Sequence, residues 1–135
     1  MNIDTLLVAD YANIAEGGKL NVMGIFREIR AKNFPIPHPE MFLIIGMNAS
    51  PAEYSKKRNI TVKLINADAT QELVSISHNI DVPRGSGGRK VEINHILRLQ
   101  GVLFPSPGTY QFSVLVDNNE KGSISIELIE IPKSK

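Results

Sequence analysis

Period-2 alternation marks the closing part of the chain. Tyr110, Phe112, Val114 and Val116 share one parity while Thr109, Gln111 and Ser113 take the other, the pattern of a strand with one face in a core. Leu115 alone breaks it. The strand is entered through Phe104-Pro105-Ser106-Pro107-Gly108. Such a turn feeding a tyrosine predicts a corner in which the hydroxyl bonds back to the backbone of residues 103–107. Residues 118–122 then connect to a returning strand over 123–131. Its apolar parity switches between Leu128 and Ile129, which predicts a bulge or a change of sheet.

Upstream, residues 3–11 and 20–29 are apolar runs joined through Glu16-Gly17-Gly18-Lys19, a first hairpin with a longer connection. Asn33-Phe34-Pro35-Ile36-Pro37-His38-Pro39 lacks the donors of a regular ladder and predicts an extended loop crossing between sheets or passing an edge. Residues 41–47 are apolar at both parities and predict a strand buried on both faces. A polar connection follows over 48–58, with one helical turn at 51–54. The next strands fall at 59–66 with Ile60, Val62 and Leu64 inward, and at 72–82 with Val74, Ile76, Ile80 and Val82 inward. A turn built on Asn66 and Asp68 separates these two, and a Gly/Ser-rich loop over 83–90 precedes a strand over 91–103 with Ile93, Leu97, Leu99 and Leu103 inward. About eight strands without a convincing helix, repeat or linker predict an all-β single domain over residues 1–135, a two-layer antiparallel β-sandwich, immunoglobulin-like or jelly-roll-like.

Leu7-Val8-Ala9-Asp10-Tyr11-Ala12, then Gly18-Lys19-Leu20-Asn21-Val22-Met23-Gly24-Ile25-Phe26, and the closing stretch from Phe104 to Asp117 resemble a bacterial family of small all-β proteins labelled only as a domain of unknown function. The resemblance spans nearly the whole chain. It implies a bacterial, cytoplasmic β-sandwich and brings no activity or catalytic residue with it. Asp68-Ala69 stands where Asp-Gly is the more usual turn pair.

Composition narrows the function classes. A chain of 135 residues buries about two-thirds of its unfolded surface, enough for a core without staples. With no cysteine, disulfides, thiolate zinc sites and Cys nucleophiles are excluded, and a reducing, cytoplasmic compartment fits. The N-terminal residues lack a basic segment and Asp10 interrupts the apolar run, so they do not read as a secretory signal. No apolar run reaches the ~20 residues of a membrane span. A net charge of +1 argues against a dedicated nucleic-acid binder.

His78 and His95 sit on the apolar parities of successive strands. Paired as a hairpin, these strands bring the two imidazoles face to face; placed in different sheets, they are expected to part. Neither strand supplies a third ligand on the same parity, so a structural role is preferred and neither metal nor cofactor is expected. His38, in the proline-rich stretch, reads as solvated. Asp10 inside an apolar strand is costly unless satisfied by Tyr11 or a backbone amide. No serine occupies a nucleophile elbow, and Gly85-Ser86-Gly87-Gly88 lacks the Lys-Ser/Thr ending of a phosphate loop.

If connections alternate between the two ends of a sandwich, residues 16–19, 48–58, 83–90 and 118–122 gather at one end. Lys56, Lys57, Arg58, Arg84, Arg89 and Lys90 then make a basic rim suited to an anionic ligand or partner, while the proline loops, Asp68 and both termini lie opposite. The resulting expectation is a non-enzymatic binding or assembly module that engages another macromolecule through loops or a sheet edge, a protein partner or a second copy of itself. A carbohydrate- or small-anion-binding sandwich is the alternative, weakened by the absence of tryptophan and the scatter of three tyrosines. An enzyme of unknown class ranks third.

Overall fold

A strand that is apolar on both parities needs cover on both sides, and the fold supplies two different covers. The computed structural model describes residues 1–132, in nine strands: β1 (Asn2–Ile14), β2 (Leu20–Ile25), β3 (Glu28–Ala31), β4 (Ile36–Ala49), β5 (Lys57–Asn66), β6 (Glu72–Asp81), β7 (Val91–Phe104), β8 (Gly108–Val116) and β9 (Asn119–Glu130). Single 3₁₀ turns lie at Glu16–Gly18 and Pro51–Glu53. The strands form a four-stranded sheet, β2-β1-β4-β7, and a five-stranded sheet, β3-β9-β8-β5-β6.

Met41, Leu43, Ile45 and Met47 on one face of β4 join Ile60, Val62, Leu64, Phe112, Val114 and Ile126 in one core shared by both sheets. Phe42 and Ile44 point the other way, into a second cluster with Leu7, Ala9, Ala12, Leu20, Val22 and Ile96. That second cover is the first hairpin. β1 pairs with β4 only from Asn2 to Ala9, and with β2 from Ala9 to Ile14. Beyond Ala9 the hairpin leaves the ladder and lies across the outer face of its own sheet. Its tip reaches β7, where Asn94 Nδ2 donates to the Gly18 carbonyl at 3.4 Å. Ala9 and Ala12, both buried, keep the covering layer close.

Several sequence expectations are corrected. There are nine strands rather than about eight, and the five-stranded sheet is mixed, because β3 runs parallel to β9. The run expected as one strand over 20–29 breaks at Phe26-Arg27, where the chain passes from the first sheet to the second. Within the proline segment, residues 33–35 make the expected crossing between sheets, but Ile36 to Pro39 is the beginning of β4, paired with β7 from Ile36↔Phe104 onward. Pro37 and Pro39 share a parity, so both missing donors fall on one side of the strand. Over Ile36 to Met41 one side has no partner, since the β1 ladder begins only at Phe42. Leu103 is 55% exposed, while Val102 packs against the core and Phe104 is buried in it. The parity changes at Gly101, which has a φ of 65°. No register shift falls at Leu128/Ile129; Ile129 lies on the less buried parity of β9.

The β8 alternation holds throughout, with Tyr110, Phe112, Val114 and Val116 all buried. Leu115 stays half-buried on the outward parity opposite Glu120, and the register shift beside it places the extra residue, Lys121, on β9. The β8–β9 turn is shorter than expected. Asp117 and Asn118 take φ of 48° and 67°, the left-handed pair of a tight hairpin turn, and β9 starts at once at Asn119. Tyr110 is 2% exposed, and its hydroxyl donates to the Ser106 carbonyl at 2.8 Å. Its ring meets Phe104 edge-on, with centroids 5.1 Å apart.

Removing that hydroxyl in Tyr110→Phe strips a partly buried carbonyl of its donor and is expected to cost about 1–2 kcal/mol. Urea unfolding reports the loss as a lowered midpoint at unchanged slope; an unchanged midpoint contradicts it.

Candidate functional site

His78 and His95 do lie in different sheets. β6 pairs with β5 and forms one edge of the five-stranded sheet, whereas β7 pairs with β4 and forms an edge of the four-stranded one. The imidazoles nevertheless meet across the seam between these edges, with centroids 4.5 Å apart and planes at 34°. The separation expected for strands in different sheets is therefore corrected: two sheets that share a core bring their edges together at the flank. His78 lies on the parity of Ile76 and Ile80, His95 on that of Ile93 and Leu97, and their register partners are Ile60 and Ile45. Both Nε2 atoms are buried without a hydrogen-bond partner. Burial, and then the charge of His78, push the His95 imidazole below its ordinary value of 6.5. Among the described residues no cluster of three or more His, Asp or Glu is arranged to hold a metal ion.

His38 is half-buried rather than solvated. Its ring lies 5.8 Å from that of Phe26, and Nε2 is buried and unpartnered. Burial pushes its basicity below the ordinary 6.5, opposed by the Asp10 carboxylate and a backbone hydrogen bond with Glu40. Asp10 is exposed, so the desolvation cost expected for it does not arise. It flanks Gly24, where a Cβ would approach the Asp10 carboxylate to 2.5 Å. Asp10 and His38 line a cleft of about 680 Å³ between β3 and the start of β4, with Phe26, Ile29, Ile36, Arg30 and Lys32 on its walls. Arg30 is neutralised by Glu28 at 3.1 Å.

Three of the four connections expected to share an end are tied together there. Ser55 N–H donates to the Val82 carbonyl at 2.9 Å and Val82 N–H to the Lys56 carbonyl at 2.9 Å. The Tyr54 hydroxyl donates to the Arg89 carbonyl and packs against Gly85. Lys56, Lys57, Arg84, Arg89 and Lys90 are exposed. Arg58 is not free. It pairs with Glu53 at 3.3 Å and Asp117 at 3.1 Å, and Asp117 also accepts the Asn59 N–H at 2.9 Å. The Met1 ammonium joins this network through Glu53 at 2.6 Å, so the N-terminus lies at the lysine-rich end, against expectation. Hydrogen bonding to that ammonium holds the Glu53 carboxyl below the usual carboxylate range.

The most distinctive surface is one the sequence reading did not single out. Of the large exposed apolar side chains among the described residues, Met23 (66%), Ile25 (57%), Ile14 (48%) and Tyr11 (46%) all belong to the β1–β2 hairpin, Leu103 being the exception. Tyr11 and Met23 are register partners, and β2 is a sheet edge. The closing bond from Ala15 N–H to the Lys19 carbonyl, 2.7 Å, fixes the alternation. Asn21 and Met23 direct their backbone groups to β1, while Leu20 and Val22 direct theirs outward. A usable signal was present: Leu20-Asn21-Val22-Met23-Gly24-Ile25 carries no charge and no proline.

The chain belongs to a family of unknown function, DUF6941, whose model matches residues 4–129. No curated protein sequence matches it. Among solved structures it is similar to the Pseudomonas fluorescens alkylpurine DNA glycosylase AlkC bound to DNA containing an abasic site analogue, at 14% identity and a TM-score of 0.54, over 95% of this chain and 30% of that one. That is a likeness of fold. A β-glucuronidase from glycoside hydrolase family 2 is more distant, at 11% identity and a TM-score of 0.39, over 72% of this chain and 10% of that one.

Because His95 and His38 are less basic folded than unfolded, the unfolded chain binds more protons once pH falls below about 6.5, and stability declines with acid. The expected result is a lower urea midpoint at pH 5.5 than at pH 7.5, with a shallower decline in His95→Leu, which keeps the His38 contribution. A flat wild-type profile over this interval contradicts the assignment. Glu53 acts in a separate window, its contribution fading only as pH falls below its ordinary 4.5.

Proposed function

We propose that this protein is a non-enzymatic binding or assembly module that engages another polypeptide through its first hairpin. The carrying observation is the concentration of Tyr11, Ile14, Met23 and Ile25 on one exposed element whose outer strand is an uncharged sheet edge. We read the two sheets as a β-sandwich of immunoglobulin-like type, supported by the Tyr110 corner, and a cytoplasmic setting fits the cysteine-free sequence. The DNA belongs to the glycosylase complex, and a net charge of +1 is not the strongly basic balance of a dedicated nucleic-acid binder.

A second reading rests on the lysine-rich end. Arg84, Arg89 and Lys90 are exposed on a loop held by Tyr54, an arrangement suited to an acidic partner or a small anion. Carbohydrate recognition lacks a stacking platform, since the chain has no tryptophan.

The two readings separate by substitution. Polypeptides co-purified with tagged wild-type chain are expected to be lost with Met23→Glu/Ile25→Glu and retained with Arg84→Ala/Arg89→Ala/Lys90→Ala. Equal recovery with wild type and the hairpin variant sinks the first reading. Loss confined to the loop variant moves the site to the lysine-rich end.

A further inference from the structure

We infer that the occupant of the hairpin is a second copy of this chain, joined by antiparallel pairing of the two β2 edges about a two-fold axis at Val22. The inference rests on the hairpin being the interaction surface and names its partner. Leu20 and Val22 already direct their backbone N–H and C=O groups away from β1, so a two-fold at Val22 lets each Val22 exchange both bonds with its mate. Leu20 then stands opposite the mate's Gly24. The two hairpins then form one continuous four-stranded sheet, with the two β2 strands at its centre.

Charge selects this arrangement. From Leu20 to Ile25 nothing repels a like edge, and the nearest basic residue, Lys19, falls opposite the apolar Ile25 of the mate. The two Lys19 ammonium groups are then roughly 20 Å apart, at about 3.4 Å per residue over six residues. That exceeds the screening length of about 8–10 Å. A parallel in-register contact instead stacks Lys19 on Lys19. The stretch is also bounded. Gly24 takes a φ of 70° over the Asp10 carboxylate, so regular pairing stops there, which limits addition to one short strand and opposes open-ended growth.

Sedimentation velocity of the intact chain from about 1 µM to about 1 mM covers the range in which a short contact associates. A monomer–dimer equilibrium is expected, weakened roughly tenfold or more in Met23→Glu/Ile25→Glu, whose exposed positions leave folding intact. Hydrogen exchange reads the register: Leu20 and Val22 amides gain protection with concentration, while Asn21 and Met23 amides, already bonded to β1, do not. A monomer throughout, a dimer indifferent to the double substitution, or one without that alternating protection overturns the proposal. A monomeric chain that still loses co-purified polypeptides in the same variant overturns only the choice of partner and leaves the hairpin as the binding surface.

Discussion

The run from Met41 to Met47 is the constraint on which the rest of the architecture depends. Its odd positions fill the core between the sheets, but Phe42 and Ile44 face outward, where an ordinary two-layer arrangement offers only water. Leaving two large side chains exposed forfeits roughly 1.5–3 kcal/mol each. The chain avoids that loss by bending β1 at Ala9 and folding its own hairpin over them. The outer face of the five-stranded sheet has no such need, since Asn59, Thr61 and Ser77 form a polar hydrogen-bonded row there.

That solution relocates the exposed apolar surface. A hairpin used as a cover has an inner face that must be apolar, supplied by Ala12, Leu20 and Val22, and an outer face free to be polar. Here the outer face carries Tyr11, Met23 and Ile25. Of these, Tyr11 takes part in covering Phe42, edge-on with centroids 5.3 Å apart, whereas Met23 and Ile25 do not. Apolar residues on both faces of a covering hairpin repeat, one layer out, the pattern that made β4 recognisable as doubly buried.

The fold was legible wherever one strand's own pattern decides the outcome. The β8 parity, the Tyr110 corner and the two-sided burial of β4 all belong to this kind. What sequence did not reveal depends on partners distant in the chain. The passage at Phe26-Arg27 is marked only by a change from the uncharged Leu20–Ile25 to the charged alternation of Glu28-Ile29-Arg30, which does not say that the partner sheet has changed. Pro37 and Pro39 argue against a central strand, yet a strand half-unpaired on one side accepts them. His78 and His95 were recognisable as residues on the apolar parities of their strands, but the surface joining them is a flank between two sheets, which no single strand encodes. The basic rim was misjudged for a similar reason: Asp117 and the Met1 ammonium come from remote positions to join Arg58 and Glu53, so counting charges in the connections alone left them out.

Sheet edges give a consistent physical account of where this molecule is closed and where it is open. Two sheets have four edges, and each presents unpaired backbone groups that an isolated chain must guard. β6 and β7 face one another across the histidine seam. β3 is only four residues long and carries Glu28 and Arg30 outward. β2 is guarded by neither length, charge nor a neighbour; its only limit is the bend at Gly24, which ends the edge without blocking it. A sequence under selection against all edge contact has a simple remedy at Asn21 or Met23, since a lysine at either exposed position keeps the hairpin's inner face intact. The residues present instead leave a short, uncharged strand beside an apolar face, open to one added strand of matching character.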